Sequence, residues 1–353
     1  TLINFAGIMG LAFGGMVMGR QADLRGARPV VLFGAIVLGL SYLAASFLTS
    51  LWQFYLLFFI AGFFGAGAIF PPILATVGSW FFVGAGLAIG IASAGQAMGQ
   101  GGVPFVSSLL IKHYGISNAF GITGIFMLAT LVPLALLLRR PPEVSAGQRL
   151  ATAAQEETLI PTPVVVRRLS LAIILCCTCM AVPLMHLVPL IQDCGFSVDE
   201  AGSVIFVMLL VAIAGRIAFG KLADIIGAIP AYMTATAWMT LLVIGFMFID
   251  SLRYFYIYAV IYGFGYAGVM TGVLVSIRAL TPTAKRAWAM GIVTMFGWFG
   301  HAIGGYQGGV TYDLTGNYTA AYSIAAIAGV LNLIVVSSLL RKTRSAQPRL
   351  AAS

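Results

Sequence analysis

An all-α integral membrane protein made of two related helical bundles is the fold class this sequence predicts, on three observations. The first is composition: 8% of the 353 residues are charged and 60% are apolar, where a soluble domain carries about 25% and 45–50%. The second is a series of eleven apolar runs. The third is a long-range repeat, because GKLADIIGA from Gly220 matches GRQADLRGA from Gly19 at an offset of 201 residues. Eight glycine pairs fall on that offset, including Gly14 with Gly215, Gly67 with Gly268, Gly90 with Gly291 and Gly115 with Gly316; chance would give roughly three. Two parallel copies of one helical unit mark a transporter built from repeats.

A bilayer core about 30 Å thick needs about 20 apolar residues per helix. Runs of that kind occur near 2–18, 29–49, 52–78, 84–111 and 117–138, and again near 169–191, 201–219, 229–249, 254–277, 287–311 and 319–340. The third, fourth and tenth are long and interrupted by glycine or proline. Pro71, Pro72, Pro104, Pro183 and Pro189 are expected to kink their helices, which a bundle tolerates when neighbours satisfy the freed carbonyls. Between Arg139 and Arg168 the chain is polar and proline-flanked without helical periodicity, as a linker is. The expected domains are an N-terminal transmembrane bundle of five helices at 1–139, a cytoplasmic linker at 140–168, and a C-terminal bundle of six helices with a short cytoplasmic tail at 169–353. The first run pairs with the seventh by the repeat, so the sixth has no partner in the first half. A two-times-six architecture would place one more helix ahead of Thr1.

Sixteen of the 19 lysines and arginines fall on one side of this layout, only Lys112 and Arg253 on the other, and Arg216 within a run. Cytoplasmic loops retain cations, so Ser353 is expected inside and Thr1 outside. The net charge of +9 is therefore topology rather than a nucleic-acid surface. Cys176, Cys177 and Cys179 lie in an apolar run without acidic ligands nearby and read as packing residues, so neither metal nor cofactor is expected.

Arg216 follows a run, Gly202–Gly215, with no ionisable side chain. A guanidinium at bilayer depth costs about 2.5 kcal/mol or more and normally marks a substrate or ion path. It stands opposite Gly15 by the repeat, so the charge belongs to one half only. The alternative is an arginine that snorkels to the interface near Gly220. His301 lies mid-run opposite Gln100; it is a substrate contact and proton-coupling candidate, or a histidine hydrogen-bonded between helices. Gln96 and Gln100, one turn apart, would share a cavity wall or pair with a neighbouring helix. His186 lies at the outer end of its run, for packing or a vestibule. The repeated loops, Gly19, Arg20, Asp23, Arg25 and Gly26 in one half and Gly220, Lys221, Asp224 and Gly227 in the other, read as solvated charge on a cytoplasmic turn or, since they repeat, as more than that; the resemblance they carry to a transporter family implies gating loops, whose carboxylates can cap nearby helix N-termini. The glycines at 297–309 suit close helix packing.

With two helical units, a central linker and a G-x-x-x-D-x-x-G loop in both halves, the chain resembles the major facilitator superfamily over essentially its whole length. HLVPLIQDCGFS at His186–Ser197, AGRIAFGKLADIIG at Ala214–Gly227 and FGHAIGGYQGGVTYDLTGNY at Phe299–Tyr318 resemble the monocarboxylate-porter and oxalate/formate-antiporter branch. The resemblance implies the major facilitator fold, two pseudo-symmetric six-helix bundles of which eleven helices are present and the first is missing. It implies that Arg216 grips a substrate carboxylate and that a protonatable residue on the helix of His301 stands near it. Where mammalian-type relatives place an aspartate four residues before the arginine, this chain has Ala212.

The expected function is secondary transport of small organic anions, monocarboxylates first, by alternating access and proton symport, in a monomer spanning the cell membrane. A counter-anion in an exchanger and efflux of a drug-like compound are the alternatives, with a non-transporting sensor behind them. No nucleotide-binding G-x-x-x-x-G-K-[ST] is present, so a gradient supplies the energy. No nucleophile and base share a depth, which speaks against an enzyme.

Overall fold

The computed structural model describes residues 2–81, 83–141 and 160–346, and among them every regular element is helical. Eleven α-helices occur: α1 Leu2–Arg25, α2 Ala27–Ala45, α3 Leu51–Ile60, α4 Gly67–Trp80, α5 Ala85–Leu137, α6 Thr162–Asp193, α7 Val198–Ile226, α8 Ala228–Val243, α9 Leu252–Leu280, α10 Arg286–Thr315 and α11 Thr319–Ala346. They correspond to the apolar runs, several of them extending into the flanking polar sequence, as α1 does to Arg25 and α7 to Ile226. The third run is α3 and α4 joined by a π-helical turn, Ala61–Ala66, into one continuous crossing. The fourth and fifth runs form α5, whose 53 residues would extend about 80 Å if straight. Gly115, at φ 77° and ψ 168°, breaks it into two arms; only glycine enters that region freely. Helix α6 starts at Thr162 behind Pro161, seven residues ahead of its apolar run. Most of the expected linker, 142–159, lies outside the described residues.

Among the described residues, eight segments are long and apolar enough to cross a membrane by length and composition.

The chain forms two compact units. One comprises Thr1–Trp80, Gly102–Glu157 and Thr281–Met295; the other comprises Phe81–Gly101, Thr158–Leu280 and Phe296–Ser353. Each therefore takes one short segment from the opposite half of the sequence. In the first unit α1 packs on α3, the π turn and α4. A Cβ on Gly14 would run into the carbonyl of Phe63, so the glycine sets how closely they approach. Tyr42, Phe54, Phe58 and Phe120 form an aromatic cluster with ring pairs 5.7 to 6.4 Å apart between centroids. In the second unit α9 packs on α7, α8 and α6, and α11 on α6 and α8. Here a Cβ on Gly215 would meet the carbonyl of Phe264. Both partners in this contact are 201 residues beyond Gly14 and Phe63, so the repeat in sequence is also a repeat in packing.

Candidate functional site

Helix α7 begins with a capping box in which Ser197 Oγ accepts from the Glu200 amide and the Glu200 carboxylate accepts from the Ser197 amide at 2.9 Å. Two reciprocal caps satisfy amides that would otherwise be orphaned and fix the start of a helix of 29 residues. Arg216 lies five turns further on and is only 2% exposed, so it does not snorkel. Its Nη1 donates to Gln96 Oε1 at 3.0 Å, while its Nε is buried with no hydrogen-bond partner. Tyr266 of α9, a buried neutral phenol, is an ionisable neighbour of Arg216. Arg216 makes no salt bridge among the described residues. The site is thus a guanidinium withdrawn from water, held by one amide, with donors to spare.

Glycine brings α5 and α7 within reach of each other. A Cβ on Gly90 would press on the carbonyl of Arg216, and Cβ atoms on Gly86 and Gly220 would each meet the other's carbonyl. In the first unit the same offset puts Gly291 against the carbonyl of Gly15. Arg216 is therefore a charge placed on one copy of a repeated backbone contact. Above it Ser93 Oγ and Thr271 Oγ1, both buried, pair at 3.2 Å.

His301 is half-buried on α10, with Nδ1 3.1 Å from the carbonyl of Gly297. It pairs with the buried thiol of Cys177 on α6, and its ring stands 5.7 Å from that of Trp298. No contact between His301 and Arg216 occurs among the described residues, so the two expected site residues are not brought side by side. Gln96 joins Arg216, but Gln100 stays exposed one turn further along α5. His186 packs: its Nε2 lies 2.9 Å from the Gly305 carbonyl and its ring 5.4 Å from that of Tyr318. The α10 glycines serve packing, since a Cβ on Gly300 or Gly304 would meet the carbonyl of Ile174 or Thr178 on α6.

The repeated segments expected as loops are helical except at Gly26 and Gly227: they are the last turns of α1 and α7, whose apolar runs continue as helix into polar sequence, and they place their carboxylates on helix N-termini. Asp23 accepts from the amides of Ala287 and Trp288 at 3.1 and 2.8 Å. Asp224 accepts from the amides of Gly86 and Leu87 at 2.7 and 2.9 Å. Donors and acceptors again differ by 201, with the roles of the halves exchanged: each carboxylate caps a helix of the other half. Gly26 at φ 89° and Gly227 at φ 93° close the loops in a conformation that other residues adopt only with strain. Arg20, Arg25 and Lys221 are exposed. Arg286 bears on Asp23 and Arg278 on Asp224. Burial pushes Asp23 up to about 6, against the opposing pull of the two amides and Arg286.

Sequence reasoning missed Tyr266, Cys177, Arg278 and Arg286. The tyrosine and the thiol sit in apolar runs with no charge to single them out. The two arginines counted only toward topology, although their place just before and at the start of α10 was a usable signal.

The family model for the Major Facilitator Superfamily matches residues 1–190 and 169–353. The chain belongs to that superfamily. The transporter is 28% identical to Monocarboxylate transporter 13 of Rattus norvegicus over 323 residues, 90% of this chain and 74% of the relative. It is 26% identical to the MFS-type transporter pynF of Aspergillus niger over 84% of this chain and 69% of that one. Its fold matches the Escherichia coli fucose:proton symporter FucP with a TM-score of 0.73 at 13% identity, covering 95% of this chain and 89% of that structure. It is a multi-pass membrane transporter of small molecules, not an enzyme.

Proposed function

We propose that this transporter moves small organic anions, monocarboxylates foremost, by alternating access and in symport with protons, as a monomer in the cell membrane with its C-terminus in the cytoplasm. The observation that carries the reading is Arg216: a permanent charge, 2% exposed, whose Nε has no partner and which lacks a carboxylate among the described residues. A buried charge without a counter-ion costs several kcal/mol. An arriving carboxylate offsets that cost and matches the planar fork in a bidentate pair. The similarity to a monocarboxylate transporter supports the same substrate class. Alternating access requires that the caps at Asp23 and Asp224 release and re-form, because each ties one half of the sequence to the other. Proton coupling falls to His301, whose ordinary pKa near 6.5 suits charge change at physiological pH.

The test is uptake into proteoliposomes of radiolabelled acetate, pyruvate, benzoate and oxalate, with and without an inward proton gradient. The reading predicts that at least one of the three monocarboxylates accumulates, more with the gradient than without. Accumulation of none of them, or of oxalate alone in exchange for internal anion, contradicts it.

A further inference from the structure

Helices α6 and α11 pack antiparallel. Tyr318, just ahead of α11, meets His186 near the far end of α6, while Arg168 near the start of α6 donates from Nη1 to Ser338 Oγ of α11 at 3.0 Å. That bond ties the helices together and leaves the other donors of the guanidinium over. Arg167 beside it is exposed, as are Arg341 and Lys342, one turn beyond Ser338. The only acid on either helix is Asp193, at the opposite end of α6. Arg167, Arg168 and Arg341 form no ion pair among the described residues. Retention of cations on one side of a membrane requires only that they lie on that side; it does not gather them at one seam without a carboxylate. The surface leading up to them is apolar. Ile327, Leu331 and Ile334 lie on one face of α11 that continues through Ser338 to Arg341, and they are 45–60% exposed. Leu171, 50% exposed, lies one turn from Arg167 on α6. Both helices are long and apolar enough to cross a membrane, so an exposed apolar face here is a surface for acyl chains, and it ends in cations. We propose that the seam between α6 and α11 binds an anionic phospholipid, its phosphate held by Arg167, Arg168 and Arg341 and an acyl chain laid along the exposed face of α11. The planar fork of arginine suits a phosphate, and basic pockets between spans take acidic headgroups. A phosphate shared by the two helices adds to the bond between Arg168 and Ser338, so the lipid also fastens this end of the bundle. The inference is independent of the assignment of Arg216 and of which face of the membrane the seam lies on.

The experiment titrates the full chain in detergent with dioleoyl phosphatidylglycerol or dioleoyl phosphatidylcholine, reading bound lipid by native mass spectrometry and the melting temperature alongside. Wild type should hold the anionic lipid about tenfold more tightly than the zwitterionic one and melt higher with it. The pair Arg167→Gln and Arg341→Gln removes two exposed cations that make no hydrogen bond or ion pair among the described residues, so the protein should fold as before and lose the preference. If that double variant melts lower than wild type in phosphatidylcholine, Arg341→Gln alone takes its place and should lose most of the preference. The pair Arg139→Gln and Arg140→Gln, which removes as much exposed charge just past α5, should keep it. Glycerol phosphate at the same concentration should not compete, because it has no chain to lay along α11. Equal binding of the two lipids by wild type overturns the proposal. So does an equal loss in both double variants, since the attraction is then diffuse charge and not a site. Competition by glycerol phosphate would make the seam a site for free phosphate instead of lipid. A preference that emerges only after Glu156→Gln and Glu157→Gln in the linker would show that the chain's own carboxylates take these cations, and would equally sink the idea.

Discussion

A guanidinium keeps its charge at any physiological pH, so its burial must be compensated by partners and cannot be relieved by losing a proton. Arg216 has one amide for this purpose, which is why it leads the site. Its burial within a helix was legible in the sequence, because a lone charge in an apolar run stands out without structural help. Gln96 was legible as a polar residue but its partner was not, since 120 residues separate them. His301 was identified for its chemistry, yet its contacts with Cys177 and Trp298 depend on how α6 and α10 pack. At this scale His301→Gln should retain exchange of labelled for unlabelled pyruvate within about threefold while losing at least about tenfold of proton-driven accumulation. Counterflow and gradient-driven uptake measured on the same vesicles separate the two. Equal accumulation by mutant and wild type would leave His301 as a hydrogen-bonding group only.

Helices begin here where carboxylates meet their amides. A side-chain cap contributes about 1 kcal/mol, and an asparagine offers one acceptor oxygen where aspartate offers two. Asp23→Asn should therefore speed amide exchange several-fold at Ala287 and Trp288 and leave Gly86 and Leu87 alone; Asp224→Asn should do the reverse. Hydrogen exchange resolved to those peptides checks both, and a uniform change would mean that the caps are not separate devices. Asp23 adds a pH dependence. Its pKa is about 6 when capped and near the ordinary 3.8 when released to water, so the capped form binds the proton more tightly. That contribution is complete below about 3.8 and is lost as pH rises through about 6. Exchange at Ala287 and Trp288, corrected for intrinsic rates, should slow from pH 7 to pH 5.5 in wild type and not in Asp23→Asn. The repeated motif was legible, because G-x-x-x-D-x-x-G recurs at a fixed offset, but it was expected as a loop and is the last helical turns of α1 and α7. Which amides the carboxylates reach was not, because α5 and α10 lie far along the chain from the loops that cap them. The helices were legible from hydropathy but their ends were less so: α1 continues to Arg25, seven residues beyond its apolar run, and Pro161 begins α6 at Thr162 in a polar stretch.

The whole molecule is two copies of one packing scheme carrying one copy of a charge. Gly14 on Phe63 and Gly215 on Phe264, Gly15 on Gly291 and Arg216 on Gly90 repeat the same contacts, while the arginine breaks the symmetry where substrate is proposed to bind. Symmetry supports reciprocal motion of the halves, and asymmetry supports a single anion site. The lysine and arginine bias predicts the orientation. In a chain with the exposed Cys194 replaced by serine, Ser197→Cys should react with an impermeant maleimide in intact cells and Gln148→Cys only after permeabilisation; the reverse pattern contradicts the orientation. The central claim, that Arg216 is where the carboxylate binds, is tested most directly by gradient-driven uptake of radiolabelled pyruvate into proteoliposomes holding wild type, Arg216→Lys or Arg216→Gln at matched protein content. Loss of the bidentate fork with the charge retained, then loss of both, predicts uptake falling in that order, by about tenfold and then about a hundredfold, in line with about 1.5–3 kcal/mol for a hydrogen bond to a charged group. Equal uptake by all three proteins would contradict the claim.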